Sequence, residues 1–144
     1  MKKMNKKNGF TLIELIIVMV ILGIMAAVAV PRYLDSISNA EESAEDAVIS
    51  AIKSGLKAAA NDSLYTNGRA SWPTNPFDVL SEKPAGYSTD DSDADIDGEW
   101  TFSGGRITHQ RADNSRFEWT YNKGTQDGDN AEIGTLAGRT AIAQ

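Results

Sequence analysis

Phe10-Thr11-Leu12-Ile13-Glu14-Leu15-Ile16-Ile17-Val18-Met19-Val20-Ile21-Leu22-Gly23-Ile24-Met25-Ala26-Ala27-Val28-Ala29-Val30 is a run of 21 residues in which only Thr11 and Glu14 are polar. A helix needs roughly 20 apolar residues to cross the hydrocarbon of a bilayer, so this run is expected to span a membrane once. Lys2, Lys3, Lys6 and Lys7 precede it with no acidic residue among them. Positively charged flanks stay on the cytoplasmic side, which places everything after Val30 outside the cytoplasm. The whole chain has 144 residues and a formal charge of −6, from 14 basic and 20 acidic side chains. Because four of the basic residues sit ahead of Phe10, the remainder is more acidic than the total suggests. Binding to nucleic acid regardless of sequence depends on Lys and Arg neutralising phosphates, so no nucleic-acid partner is expected. The chain has no cysteine, which excludes disulfides, thiolate nucleophiles and cysteine-ligated metals.

Two readings of the apolar run compete. A secretory signal peptide has an apolar core of roughly 7 to 15 residues ending at a small-residue cleavage site. Ala27-Val28-Ala29 offers such a site, and cleavage there would release a soluble binding domain. Glu14 points the other way. A charged side chain in a membrane helix costs about 2.5 to 3.5 kcal/mol at the centre and less towards the interface, and a discarded signal has no use for it. An intramembrane carboxylate calls for a partner, yet no basic side chain occurs between Lys7 and Arg32. The partner is therefore a new amino terminus or another molecule.

The lysine-rich leader, Gly9, the sequence Phe10-Thr11-Leu12-Ile13-Glu14-Leu15, the further apolar run with Gly23, and Pro31-Arg32-Tyr33 together resemble the prepilin signature of type IV pilins and type II secretion pseudopilins. That resemblance implies a leader of residues 1–9, cleavage between Gly9 and Phe10 by a prepilin peptidase, and N-methylation of Phe10. It implies that Glu14 neutralises the terminal amine of a neighbouring Phe10 as the helix enters a filament. It also implies a place in the inner membrane before assembly, an assembly platform there, and then a homopolymeric pilus or a periplasmic pseudopilus. Pro31-Arg32-Tyr33-Leu34 is similar to the mannose-sensitive haemagglutinin branch of the pilins. The alternative, a pseudopilin driving protein export, fits the missing cysteines, since type IV pilins often close a carboxyl-terminal loop with a disulfide.

Beyond the membrane, Leu34, Ile37, Ala40, Ala44, Val48, Ile52, Leu56 and Ala59 recur every three or four residues, which marks one face of a helix. Glu41, Glu42, Glu45, Asp46, Lys53 and Lys57 are assigned to its wetter sides. The expected helix runs over residues 10–62, with 10–30 in the membrane and 31–62 amphipathic, roughly 75 Å in all at 1.5 Å per residue. Gly23 and Pro31 are expected to bend or loosen it. Residues 63–144 form the head. Asn67-Gly68, Trp72-Pro73, Asn75-Pro76, Pro84 and Gly86 punctuate a connecting region, with a short helix around Phe77 to Leu80. Trp100 to Phe102, Arg106 to Arg111 and Arg116 to Tyr121 read as a β-meander, with Phe117, Trp119 and Tyr121 on one face; a further strand is expected near Glu132 to Leu136. The fold class is α+β and pilin-like, a long membrane-spanning helix packed on an antiparallel head.

Little else points to chemistry. Asp93, Asp95 and Asp97, followed by Gly98, supply the first half of a calcium loop, but the twelfth loop position is Gly104 instead of a bidentate glutamate. The stretch Gln126 to Asn130 with Glu132 is a second oxygen-rich cluster, loosely like the calcium loop of some pseudopilins. His109, the single histidine, reads as a surface or pocket-edge residue without a nucleophile motif. Arg106, Arg111, Arg116 and Arg139 read as ordinary surface cations, and Trp72, Trp100 and Trp119 as core. No enzymatic activity and no obligatory cofactor are expected.

Overall fold

The computed structural model describes residues 9–125 and 133–143. The chain divides into two compact units, Met1–Glu42 and Ser43–Gln144. A single helix, α1 (Leu12–Asn67), contributes to both.

In the first unit α1 begins after Thr11, two residues later than the apolar run itself. Thr11 and Glu14 form a reciprocal cap: the Thr11 N–H and hydroxyl both donate to Glu14 Oε2, at 2.8 and 2.7 Å, and the Glu14 N–H reaches Thr11 Oγ1 at 3.3 Å. A Thr with a Glu three residues on satisfies two helix-terminal donors at once, and that fixes the start. Every residue from Phe10 to Ser36 is exposed. The helix passes through Pro31 without a break in its assignment.

In the second unit α1 buries Glu45, Ile49, Ile52, Leu56 and Ala60. The stripe thus runs through Ile49 and Ala60, one residue on from the expected Val48 and Ala59, and it includes Glu45, which had been placed on the wet side. The helix ends at Asn67, five residues beyond residue 62, because Gly68 takes a left-handed conformation (φ +72°) and its N–H closes on the Leu64 carbonyl at 2.9 Å. Glycine is the residue that adopts this helix-ending geometry without a Cβ clash. The expected short helix appears as a 3₁₀ turn, Pro76–Val79, capped by the Asn75 side chain accepting from the Phe77 N–H at 2.9 Å.

The sheet contains β1 (Trp100–Ser103), β2 (Arg106–Gln110), β3 (Arg116–Asn122), β4 (Thr135–Leu136) and β5 (Thr140–Ile142), all pairing antiparallel. β1, β2 and β3 follow in order, and β4 and β5 both lie along the far edge of β3, at opposite ends of it. The β1–β2 hairpin turns on Gly104 and Gly105, both at positive φ (56° and 80°). Two consecutive residues of that kind suit the hairpin turn whose twist matches the strands.

The register sets two faces. Phe102 opposite Ile107, Ile107 opposite Trp119, and Trp100 opposite His109 share one side. With Ile49, Ile52 and Leu56 of α1 and with Phe77, the residues Trp100, Ile107, Trp119 and Tyr121 form the core. Trp100 stacks on Trp119 at 5.6 Å and meets Phe77 edge-on at 6.3 Å, geometries that add about 0.5 to 1.5 kcal/mol per pair beyond area burial. Trp72 packs against this core from outside. The opposite face carries Thr101, Arg106, Thr108 and Gln110, and the segment from Asp93 to Asp97 lies over it. There the Ala94 N–H donates to Thr108 Oγ1 at 2.8 Å, and Thr108 and Thr101 share a hydroxyl contact of 2.7 Å.

Candidate functional site

The amino-terminal segment and the head each carry a distinct arrangement. At the amino terminus a Cβ built on Gly9 meets nothing within 4 Å among the described residues, and Phe10 is 88% exposed. Glu14 lies one helical turn further on, with Oε2 held by Thr11. Among the described residues nothing pairs with Oε1. The helix from Leu12 is long and apolar enough to cross a membrane. Leu12, Ile13, Leu15, Ile17 and Val18 are all exposed, although at 3.6 residues per turn they point to different sides of the helix. Gly23 also faces open space.

In the head, sequence reasoning missed the main polar feature. Glu45, fully buried, accepts hydrogen bonds from Arg111 Nε and Nη2, both at 2.7 Å, and from Arg139 Nη1 at 3.0 Å. His109 Nδ1 lies 2.9 Å from its Oε1. Burial by itself raises the Glu45 pKa; the hydrogen bonds from Arg111, His109 and Arg139 outweigh it and bring the group down to about 2. The carboxylate is therefore ionised at any physiological pH.

His109 is correspondingly buried and stacked on Trp100 at 4.3 Å, not at the surface as expected. Arg111 is buried over the Phe117 ring at 4.1 Å. The four arginines do not gather into one cationic patch. Arg111 and Arg139 converge on Glu45, while Arg106 bridges Glu118 and Asp93. A signal was present in the sequence: Glu45 heads the spacing 45, 49, 52, 56, 60, and His109 and Arg111 share the strand parity of the core residue Ile107.

The half calcium loop is differently occupied. Arg106 Nη2 takes both Asp93 oxygens, at 2.9 and 3.1 Å, and Gln110 Nε2 donates to the Asp95 carbonyl at 3.1 Å and approaches Asp97 Oδ1 at 3.4 Å. Among the described residues no three His, Asp or Glu side chains converge as a metal cage. An arginine on the first carboxylate leaves the trio without a shared focus. The second oxygen-rich stretch, Gln126 to Asn130 with Glu132, lies outside the described residues.

Comparison with known proteins bears on the amino terminus. Residues 4–30 match the family described as Prokaryotic N-terminal methylation motif. The chain is 46% identical over 56 residues to the Type IV major alpha-pilin of Moraxella bovis, covering 39% of this chain and 35% of that one. It is 49% identical over 49 residues to the Type IV narrow pilus major component PilA5 of Thermus thermophilus, covering 34% and 42%. Against a Type IV major pilin protein PilE1 of Neisseria gonorrhoeae the match is 38% over 108 residues, covering 72% of this chain and 44% of the relative. The chain thus spans less than half the length of these relatives. No solved structure matches it significantly. The methylation motif and these relatives make the amino-terminal part of the chain similar to that of type IV pilins.

Proposed function

We propose that the chain is a structural subunit of a type IV pilus-like filament, held in the inner membrane by α1 with its head outside the cytoplasm, and then polymerised through the same helix. The observation that carries this reading is the exposure of the apolar stretch from Phe10 to Val30 on all sides. Apolar area left in water costs about 25 cal/mol per Å², so the stretch requires lipid first and copies of itself afterwards. Gly23, Ala26, Ala27 and Ala29 permit close helix approach within such a bundle. Pro31 and Gly23 are the places where α1 adjusts on leaving the membrane.

The methylation motif supports processing at the Gly9–Phe10 bond. A prepilin peptidase hydrolyses that amide, leaving the Gly9 carboxylate on the leader and the Phe10 amine on the subunit, and N-methylation keeps the amine basic. Glu14 supplies the compensating charge. A carboxylate in a filament core loses its hydration, and an ammonium partner offsets that cost when hydrogen-bond geometry is good. Thr11 already holds one oxygen at the helix terminus, so Oε1 is the one presented to the incoming amine. Glu14→Ala in the full chain should insert into the membrane normally and yield no filaments. Normal filament yield would remove Glu14 from the mechanism.

A pseudopilin of a type II secretion system shares all of these steps and is favoured by the missing cysteine. The relatives above carry pilus names, which supports the pilus reading. Electron microscopy separates the two by long surface filaments as against short periplasmic ones.

A further inference from the structure

We propose that heads of neighbouring copies dock through a preformed knob, Asp95-Ile96-Asp97, seated in a cationic apolar groove made by Lys53, Lys57, Trp72 and Leu136 of the next copy. This rests on the filament reading and names a contact within it.

Ile96 is 66% exposed although it belongs to a well-tethered loop. Asp93 is held by Arg106, the Ala94 N–H by Thr108 Oγ1 at 2.8 Å, and the Asp95 and Ile96 N–H groups by Glu99 Oε2 at 2.9 and 3.3 Å. The Glu99 N–H closes the turn on the Ile96 carbonyl at 2.9 Å. These tethers fix the backbone and leave the isoleucine outside. An apolar tip already ordered in this way pays little conformational entropy on binding. Its two neighbours are exposed aspartates.

The groove is the complement in both respects. It has a volume of about 340 Å³ and is lined by Trp72, Leu136, Gly134, Thr135 and two lysines. Lys53 and Lys57 are four residues apart on α1 and so share a face. Neither ammonium has an ion-pair or hydrogen-bond partner among the described residues. Two carboxylates around an isoleucine thus meet two ammonium groups around an apolar floor, and complementary potentials of this kind set register and partner choice.

Geometry decides between contact within one copy and contact between copies. The knob lies over the sheet face that bears Thr108 and Arg106, whereas the groove involves α1, which covers the face of Ile107 and Trp119. One copy cannot fill its own groove from the far side of its sheet. A knob-to-groove contact between copies joins two different surfaces, and such a contact, when it does not close into a ring, propagates as a helical fibre.

The chain has no cysteine, so introduced thiols are unambiguous. In full-length chains assembled as filaments, the double variant Ile96→Cys/Thr135→Cys treated with a short bis-maleimide should give a ladder of covalent dimers, trimers and larger species. Each single variant should stay monomeric. Filaments whose thiols both react with a monofunctional maleimide but give no ladder would overturn the contact while leaving the filament reading intact. Cross-links from Thr135→Cys to a different protein, without a ladder, would assign the groove another occupant and equally overturn it. Absence of filaments from the unmodified chain would overturn both readings. Should the cysteine variant not assemble, charge exchange decides: Lys53→Glu/Lys57→Glu should lose filaments, and adding Asp95→Lys/Asp97→Lys should restore them. Failure to restore would overturn the contact.

Discussion

Replacing Glu45 by Gln keeps the shape of the side chain and removes its charge. In the native head both Glu45 oxygens are engaged by Arg111, with His109 on one and Arg139 on the other. The carboxyl sits at about 2 against an ordinary 4.5. At 1.36 kcal/mol per unit, that difference stabilises the folded head by about 3 kcal/mol near neutrality. The folded value lies below the unfolded one, so this contribution is complete above pH 4.5 and is lost as pH falls from there towards 2. In Glu45→Gln, Arg111 is left as a buried charge, its side chain 5% exposed, and breaking one side of a buried pair costs about 3 to 5 kcal/mol. For a domain of this size about 4 to 8 °C is lost per kcal/mol, so the melting temperature at pH 7 should fall by at least about 12 °C. The assay is thermal unfolding of the full chain in detergent, followed by near-ultraviolet circular dichroism of the buried Trp100 and Trp119. The gap between native chain and variant should shrink as pH is lowered from 5 towards 2. A variant that melts within about 3 °C of the native chain at pH 7 would refute the cluster's contribution.

Arg139 reaches Glu45 from the segment between β4 and β5 and is the more exposed of the two arginines. Arg139→Ala should therefore destabilise by only about 1 kcal/mol, while limited proteolysis should cut within residues 133–143 faster than in the native chain; unchanged cutting would mean that other contacts hold this segment. Gly86→Ala places a Cβ 2.2 Å from the Gly98 carbonyl oxygen at a φ of +79°. That strain should cost about 1 to 3 kcal/mol, read as a lower melting temperature, and a neutral substitution would contradict the close approach of the two loops.

The three central strands were legible from their alternation and from the Gly104-Gly105 turn, and they occur within a residue of the expected positions. These are local signals. The strand β5 (Thr140–Ile142) was not anticipated, because three residues are too short for alternation to show and its pairing with Arg116 to Glu118 is remote in sequence. Glu45 was misplaced for a related reason. A charge in an amphipathic helix is solvated unless a partner is brought to it, and its partners His109 and Arg111 lie 64 and 66 residues away. Asp93 likewise read as part of an incomplete half calcium loop, because the pairing with Arg106, 13 residues on, does not show in its local pattern. The amino-terminal segment was the more legible part, since the methylation motif, the cap and the apolar run are all contiguous, and the Thr11–Glu14 cap could have been read from its spacing alone.

On the proposed filament reading, α1 survives processing as the polymerising element of the mature subunit. Intact mass and amino-terminal peptide analysis of the native protein tests it most directly. A mature chain that begins at N-methylated Phe10 is the predicted result. A chain that begins at Val30 would make the helix a discarded signal, and the filament account would fall with it.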